Sequence, residues 1–399
     1  MMMRPFALLV GAVAMVSITA GARAQEVVHN VNSQYERAQL VQIADGLEQP
    51  WGVGFLPDGR FLVTEKPGGL QLIDAEGTKS EVTGLPEDIL ARGQGGLMDV
   101  VVHPEYEADG NGWIYLTYSK DNGEGQTATA LIRARLNGTE LVDVEEIFVQ
   151  NRYSGPGRHY GSRVAFMHDG TLLVSVGDRG SRPQRAQDLA DHAGTLLRLN
   201  DDGSVPSDNP FVGRDDAAPE IHSYGHRNIQ GLVVHPETGE IWATQHGPRG
   251  GDRIDRLEAG KNYGWPVATP GRDYRTQEQF GDGRAHPDMV PPTHEFIPTL
   301  APSGLAYVDG RHFSNWEGDF LAGGLRPQRI LRVVIEEGTI RYTHHEGEAI
   351  PVTGPYAAHI EELLHGVIGR IRDVRTGPDG HIYIVNDRSP GGLYRLEPR

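Results

Sequence analysis

Apolar residues fall along this chain in short runs, each followed by a tight polar turn and then by a second run of alternating aromatic and β-branched residues. Short runs rich in Val, Ile, Tyr and Trp, bounded by Pro, Asp and Gly, predict β-strands joined as hairpins. The pattern comes round six times. Residues 51–55, the turn Pro57-Asp58-Gly59 and residues 61–64 form the first unit, and 97–102, His103-Pro104 and 113–118 the second. The third is 164–166, His168-Asp169-Gly170 and 172–176, and the fourth is 232–234, the turn 235–239 and 241–244. Residues 304–307, Asp309-Gly310 and 319–323 make the fifth, and 373–376, Pro378-Asp379-Gly380 and 381–385 the sixth. Asp-Gly turns tolerate the positive φ that a tight hairpin demands. Hairpins in series, spaced by about 50 to 70 residues, predict an all-β chain: a six-bladed β-propeller of four-stranded antiparallel blades. A β-sandwich with insertions is the alternative. The last run, 392–396, is placed to close the ring against the N-terminal region and so remove an open sheet edge. Helix is confined to two short candidates, 361–364 and 187–189. No linker divides the chain, so residues 25–399 read as one propeller domain.

Composition narrows the function. The 52 glycines and 26 prolines are spread over the whole length, which fits many turns and not one low-complexity tract. A formal charge of −17 repels polyanions, so nucleic acid is excluded as a partner. The absence of cysteine removes disulfides, thiolate metal sites and cysteine nucleophiles together. Histidine, carboxylate and backbone carbonyl remain as ligands, a set that suits calcium at least as well as zinc. Arg4, the apolar run 6–20 and Ala22-Arg23-Ala24 have the form of a secretory signal peptide, so residues 1–24 are expected to be removed and the protein to be periplasmic or secreted. Loss of Arg4 and Arg23 with that leader makes the charge −19. No later stretch is long and apolar enough for a membrane span.

Four loops carry candidate chemistry, since propeller function resides in the connections and not in the blades. The first, Arg92-Gly93-Gln94-Gly95-Gly96-Leu97, surrounds one neutral amide with glycines that allow close backbone approach; a plain inter-blade turn is the alternative. The second, Gly157-Arg158-His159-Tyr160-Gly161-Ser162-Arg163, offers a histidine that titrates near neutrality and suits a general base, or serves as a structural hydrogen-bonding residue. The third combines Gly225-His226-Arg227-Asn228, Gln245-His246-Gly247-Pro248-Arg249-Gly250-Gly251-Asp252 and Lys261-Asn262-Tyr263-Gly264-Trp265-Pro266. There Arg227 presents a fork for a carboxylate and Gly247-Pro248 can turn carbonyls toward a hard cation. The fourth is a set of arginines, Arg326, Arg370 and Arg372, which suggest an anionic ligand or a salt-bridged face. Positions 370 and 372 share one strand face.

Taken together, GQGGL, RHYGSR, GHRNIQG, HGPRGGD, KNYGWP and RIRDV resemble the soluble PQQ-dependent glucose and aldose sugar dehydrogenases, and the bacterial aldose branch in particular. The resemblance runs from Leu47 to Asp387. It implies a six-bladed propeller that oxidises an aldose at C1 to the lactone with PQQ and calcium, passing electrons to an external acceptor such as a cytochrome, a quinone or a dye. It implies His159 as the catalytic base, with Gln94 beside it in both the catalytic and the cofactor-binding sets. Arg227, Asn228, Arg326, Arg370, Arg372 and Tyr274 fall at cofactor-binding positions, and Gly247, Pro248 and Tyr263 at metal-binding ones. Two departures stand out. Arg158 precedes the histidine where the glucose branch has an acid, so no orienting partner for His159 is evident. Arg253 stands where aldose relatives carry a glutamate of a second calcium site, with Glu240 and Asp255 near in sequence, and that second metal is left unassigned. The rival functions are a calcium-dependent lactonase or esterase-type hydrolase, which needs several converging carboxylates, and a non-catalytic sugar-binding propeller.

Overall fold

A computed structural model describes residues 25–106, 111–343 and 349–399; the expected signal peptide at 1–24 lies outside the described residues. Six antiparallel sheets form a ring, as the six-fold pattern predicts. Strands β1 (Glu26–Asn32) and β2 (Arg37–Leu47) come first in the chain but join the last sheet. The first blade is β3 (Pro50–Phe55), β4 (Phe61–Glu65), β5 (Gly69–Ile73) and β6 (Lys79–Glu81). The second is β7 (Leu97–Val102), β8 (Trp113–Asp121), β9 (Thr127–Asn137) and β10 (Glu140–Val149). The third is β11 (Val164–Phe166), β12 (Leu172–Val176), β13 (Thr195–Leu199) and β14 (Ile221–Tyr224), and the fourth β15 (Ile229–Val234), β16 (Ile241–Gln245), β17 (Arg253–Leu257) and β18 (His294–Glu295). The fifth is β19 (Pro302–Tyr307), β20 (Phe320–Gly324), β21 (Ile330–Thr343) and β22 (Ala349–Leu363). The sixth begins with β23 (Ile371–Thr376), β24 (Ile382–Asn386) and β25 (Gly391–Pro398).

Ring closure occurs as expected. Strand β25 pairs antiparallel with β2, from Ala38↔Pro398 to Leu47↔Gly391, and β1 adds a fifth strand outside β2. The innermost strands β3, β7, β11, β15, β19 and β23 touch in succession and return to β3. One apolar cluster fills each of the six blade junctions. The two-residue period of a strand explains how one blade serves two junctions: Leu172 and Val174 of β12 pack toward the second blade, while Leu173 between them packs toward the fourth. Beneath the ring's mouth, Arg163 reaches Asp373 at 2.8 Å and Arg375 reaches Asp373 at 2.7 Å and also bonds Asp99, so charges from different blades are paired across the axis.

Helix is scarcer than expected. Residues 361–363 lie in strand β22, where Glu361 pairs Arg332 and Leu363 pairs Ile330, so ladder pairing overrides the local helix preference of Glu-Glu-Leu-Leu. Gln187 ends a short 3-10 turn, Pro183–Gln187. No helix among the described residues is long and apolar enough to cross a membrane.

Candidate active site

Antiparallel pairing places the start of each inner strand and the end of the second strand at the same end of the ring. The predicted residues sit at these points. Gln94 and His159 lie in the loops that lead into β7 and β11, Arg227-Asn228 immediately precedes β15, and Arg370 and Arg372 flank the first residue of β23. His246-Gly247-Pro248 follows β16 and Arg326 follows β20. One end of the propeller thus collects residues spread over most of the chain. A cavity of about 410 Å³ there is lined by Gln94, His159, Arg227, Pro248 and Tyr274 from the predicted set. Arg158, Asp178, His246, Trp265, Asp273 and Phe280 complete its polar and aromatic wall.

His159 is held from three sides. Its backbone has φ +54, a left-handed conformation that costs a residue with a side chain about 1–3 kcal/mol and persists only where its surroundings impose it. Its N–H donates to Gln94 Oε1 at 2.8 Å. Gln94 is itself seated by its N–H on Gly157 O at 2.8 Å, an approach open only because Gly93 lacks a Cβ, which would lie 2.3 Å from that oxygen. Gly177 likewise leaves room for the His159 carbonyl, 2.2 Å from where a Cβ would stand. The third hold is on the ring: Nδ1 donates to Asp178 Oδ1 at 2.6 Å. A carboxylate only accepts, so this bond puts the proton on Nδ1 and leaves Nε2 with its lone pair. Asp178 is fixed in turn by Trp265 Nε1–H on Oδ2 at 2.8 Å and Gly180 N–H on Oδ1 at 2.8 Å.

Electrostatics support this protonation state. Burial, with the Arg227 charge beside it, holds the His159 pKa below the ordinary imidazole value despite the Asp178 carboxylate. The ring is therefore neutral at pH 7. Burial opposes the Asp178 charge, but the His159 hydrogen bond and the Arg227 guanidinium outweigh it and keep that carboxyl below its usual range. His246 is pushed down to about 4, first by burial and then by Arg227, and its Nε2 bonds Pro302 O at 2.7 Å.

The cationic residues form two groups. Arg227 lies 5.4 Å from the Trp265 ring centroid, with one long contact of 3.5 Å from Nη1 to His246 O. Arg370 and Arg372 both reach Asp387 Oδ2 at 2.9 Å, from the shared face that the sequence predicts. Lys66, unforeseen, joins them and donates to Gly93 O at 3.0 Å, one residue from Gln94. Arg372 Nε is buried without a hydrogen-bond partner among the described residues. Arg326 is exposed, with its N–H on Leu300 O at 3.4 Å. Asn228 is buried and its Oδ1 accepts the Gly161 N–H at 3.0 Å, so it braces the loop that carries His159.

The long segment 258–293 rises from β17 before it reaches β18 and brings Trp265, Tyr274 and Phe280 to the cavity. Trp265 stacks on Phe280 at 4.7 Å, and Tyr274 is 65% exposed at the rim. Among the expected metal positions, Pro248 O accepts the Gly251 N–H at 2.9 Å within a tight turn. Asp252 beside it is consumed as an anchor for Gly247, Thr299, Leu300 and Ala301. The Tyr263 carbonyl departs from the expectation: it accepts Arg253 Nη1–H at 3.0 Å, so a guanidinium stands where a cation would have to bind. Glu240 pairs Arg256 at 2.9 Å. Among the described residues no group of three or more His, Asp or Glu side chains could hold a metal.

A sequence model of the glucose/sorbosone dehydrogenases matches residues 47–395, nearly the whole propeller. The chain belongs to the glucose/sorbosone dehydrogenase family. An aldose sugar dehydrogenase of Escherichia coli is 35% identical over 364 residues, covering 90% of this chain and 92% of that protein. A crystal structure of a glucose dehydrogenase, 35% identical, matches with a TM-score of 0.81 over 89% of this chain and 98% of that one. The PQQ-bound aldose sugar dehydrogenase of Streptomyces coelicolor shares the fold at 24% identity, with a TM-score of 0.69 over 94% of this chain and 98% of that one. This glucose/sorbosone dehydrogenase family member is an enzyme, a dehydrogenase. His159, which the sequence singles out, lines the cavity, but its partner Asp178 is not among the predicted residues. The signal was present: Gly177-Asp178-Arg179-Gly180 follows β12 as His246-Gly247-Pro248 follows β16, and the same blade position carries Lys66 after β4.

Proposed function

We propose that the protein oxidises aldose sugars at C1 to the lactone, with PQQ bound in the cationic cavity and His159 as general base. The observation that carries this reading is the His159–Asp178–Trp265 chain opening onto a cavity edged by guanidinium groups. The residues fit a tricarboxylate. A volume of about 410 Å³ lies within the usual range for small-ligand pockets. Arg227 is barely engaged by the protein and Arg372 keeps a buried donor unpaired, which is the condition expected of groups awaiting an anion. Arg227 and Arg372 would hold the cofactor's carboxylates, with Lys66 and Arg370 adding positive charge and Trp265 and Tyr274 apolar surface. When bound, PQQ supplies the acceptor for the hydride leaving C1.

The chain's own part in the chemistry is proton transfer. His159 Nε2, unprotonated at pH 7, takes the proton of the C1 hydroxyl while Asp178 stabilises the imidazolium that forms. Trp265 and Gly180 keep Asp178 from turning, and Gln94 keeps the His159 backbone in its unusual conformation. Calcium would rest on the Gly247 and Pro248 carbonyls. Two carbonyls fall far short of the about six to eight oxygens that calcium takes, so the metal would be held jointly with the cofactor. Among the described residues no three His, Asp or Glu side chains gather to hold a metal, and the paired Asp99 and Asp373 are engaged by Arg375, which speaks against a metal-dependent hydrolase. The signal-peptide pattern favours export, which would place the reaction outside the cytoplasm with a separate electron acceptor. Dye reduction by purified protein tests the reading: it should need PQQ, calcium and an aldose together, and activity with none of these added would overturn it.

A further inference from the structure

In the fourth blade, four oxygens from three residues converge on one buried cation, the Arg253 guanidinium. Its side chain is 8% exposed, and that of Asp255 is 1% exposed. Nε lies 2.8 Å from both Asp255 oxygens and Nη2 lies 2.6 Å from Oδ1. Nη1 donates to Tyr263 O at 3.0 Å and Nη2 to Val290 O at 3.3 Å. A carboxylate and two carbonyls around one positive centre are what a hard metal ion would gather. Here the centre is covalent and cannot dissociate.

The junction leads to the site along two paths. Asp255 Oδ2 accepts from Gln245 Nε2 at 2.9 Å, and Gln245 Oε1 accepts the Arg227 backbone N–H at 3.0 Å. On the other path, Tyr263 is two residues before Trp265, whose indole N–H holds Asp178 and through it His159. We propose that Arg253 is a positioning residue that takes the place of a structural metal, holding Arg227 through Asp255 and Gln245, and Trp265 through Tyr263. The calcium that family resemblance implies at Tyr263 does not fit these residues, because the guanidinium already occupies its oxygens. The link to turnover rests on the sugar-oxidation reading, but the positioning itself does not.

Arg253→Lys tests it. The ammonium keeps a charge for Asp255, but a single nitrogen cannot span the carboxylate and both carbonyls. With Arg227 and Trp265 loosened, the burial of His159 and the nearby Arg227 charge both weaken, and both lower its pKa, whereas Asp178, which raises it, keeps its bonds to the His159 ring and the Gly180 N–H. In cofactor-free protein with nitrogen-labelled histidine, the His159 titration midpoint, assigned by its loss in His159→Ala, is expected to rise by about half a unit or more. With cofactor, turnover is expected to fall about tenfold while the sugar KM stays within about threefold. A folded Arg253→Lys with a wild-type midpoint and turnover overturns the proposal. A raised midpoint in a protein whose wild type never oxidises sugar upholds the positioning role and removes the oxidation reading instead. If Arg253→Lys does not fold, the apolar pair Arg253→Met with Asp255→Leu replaces the ion pair without stranding a charge. The same rise is expected there, and an unchanged midpoint overturns the proposal.

Discussion

Replacing Asp178 by Asn keeps the shape of the side chain and removes its charge. Three donors converge on the two Asp178 oxygens: His159 Nδ1–H and Gly180 N–H on Oδ1, and Trp265 Nε1–H on Oδ2. An amide offers one acceptor oxygen and one NH₂. With the oxygen toward His159, the NH₂ meets the Trp265 N–H, and both of these buried donors are left without an acceptor. With the NH₂ toward His159, Nδ1 must accept and the ring proton moves to Nε2, which abolishes the base. The first arrangement costs stability of about 1–3 kcal/mol for each unsatisfied group. The second costs most of the general-base contribution, a factor of about 10²–10⁴ in kcat, or about 2.7–5.4 kcal/mol in the barrier. Because the Asp178 charge raises the His159 pKa, its loss lets that pKa fall further. The acid limb of the kcat/KM profile should therefore move to lower pH while the plateau drops. Dye-linked aldose oxidation from pH 4 to 9, with saturating PQQ and calcium, reads both effects. A variant with kcat within about threefold of wild type would refute the assigned role of this carboxylate.

Other consequences concern binding, pH and ring closure. Arg372→Met removes the buried guanidinium whose Nε lacks a partner, so PQQ affinity should fall about 10- to 100-fold, the equivalent of one charge-assisted hydrogen bond. Turnover at saturation should stay within about threefold; unchanged affinity in an absorbance titration would contradict the cofactor's placement. Burial holds His222 and His246 down to about 4, so between about pH 6.5 and 4 the unfolded chain binds protons that the folded chain refuses. Stability should fall as the pH drops through that window, by roughly 3 kcal/mol per ring, and a flat urea-unfolding free energy there would show these rings to be exposed. Deleting residues 25–47 removes the strand paired with β25 and bares a sheet edge, so cooperative thermal unfolding should be lost. A soluble, cooperatively melting truncation would contradict closure by β2.

The propeller was legible because each blade repeats one local rule, alternating strands about a Pro-Asp-Gly or His-Pro turn, and local rules survive without tertiary information. Residues 361–364 misled because Glu and Leu favour helix, while the decisive fact, the ladder of β22 with Ile330, Leu331 and Arg332, is a contact with a distant strand. The fifth strand of the closing blade was invisible for the same reason. At the site, His159, Gln94 and Arg227 could be read because each lies in a distinctive loop just before an inner strand. Asp178 is harder to read: a partner is expected beside His159 in sequence, whereas antiparallel folding brings the acid from the far end of the next strand of the same blade, and only its place just after that strand, like that of His246 after β16, marks it. Trp265 was visible as part of a motif but not as a brace, since its hydrogen bond crosses from the fourth blade to the third. Arg253 was visible only as a departure from a pattern. Its meaning lay in the Tyr263 carbonyl that it occupies.

The most direct test of the central claim separates binding from proton removal in one comparison. Wild-type protein and His159→Ala are each loaded with equimolar PQQ and calcium, and absorbance is followed after adding an aldose with no electron acceptor present. Both proteins should bind the cofactor with affinities within about threefold. In the wild type the bound cofactor should be reduced in a single turnover, and in the variant this should be slower by about 10²–10⁴. Reduction in the variant at the wild-type rate, or no reduction in the wild type despite bound PQQ, would contradict the role of His159 as the base.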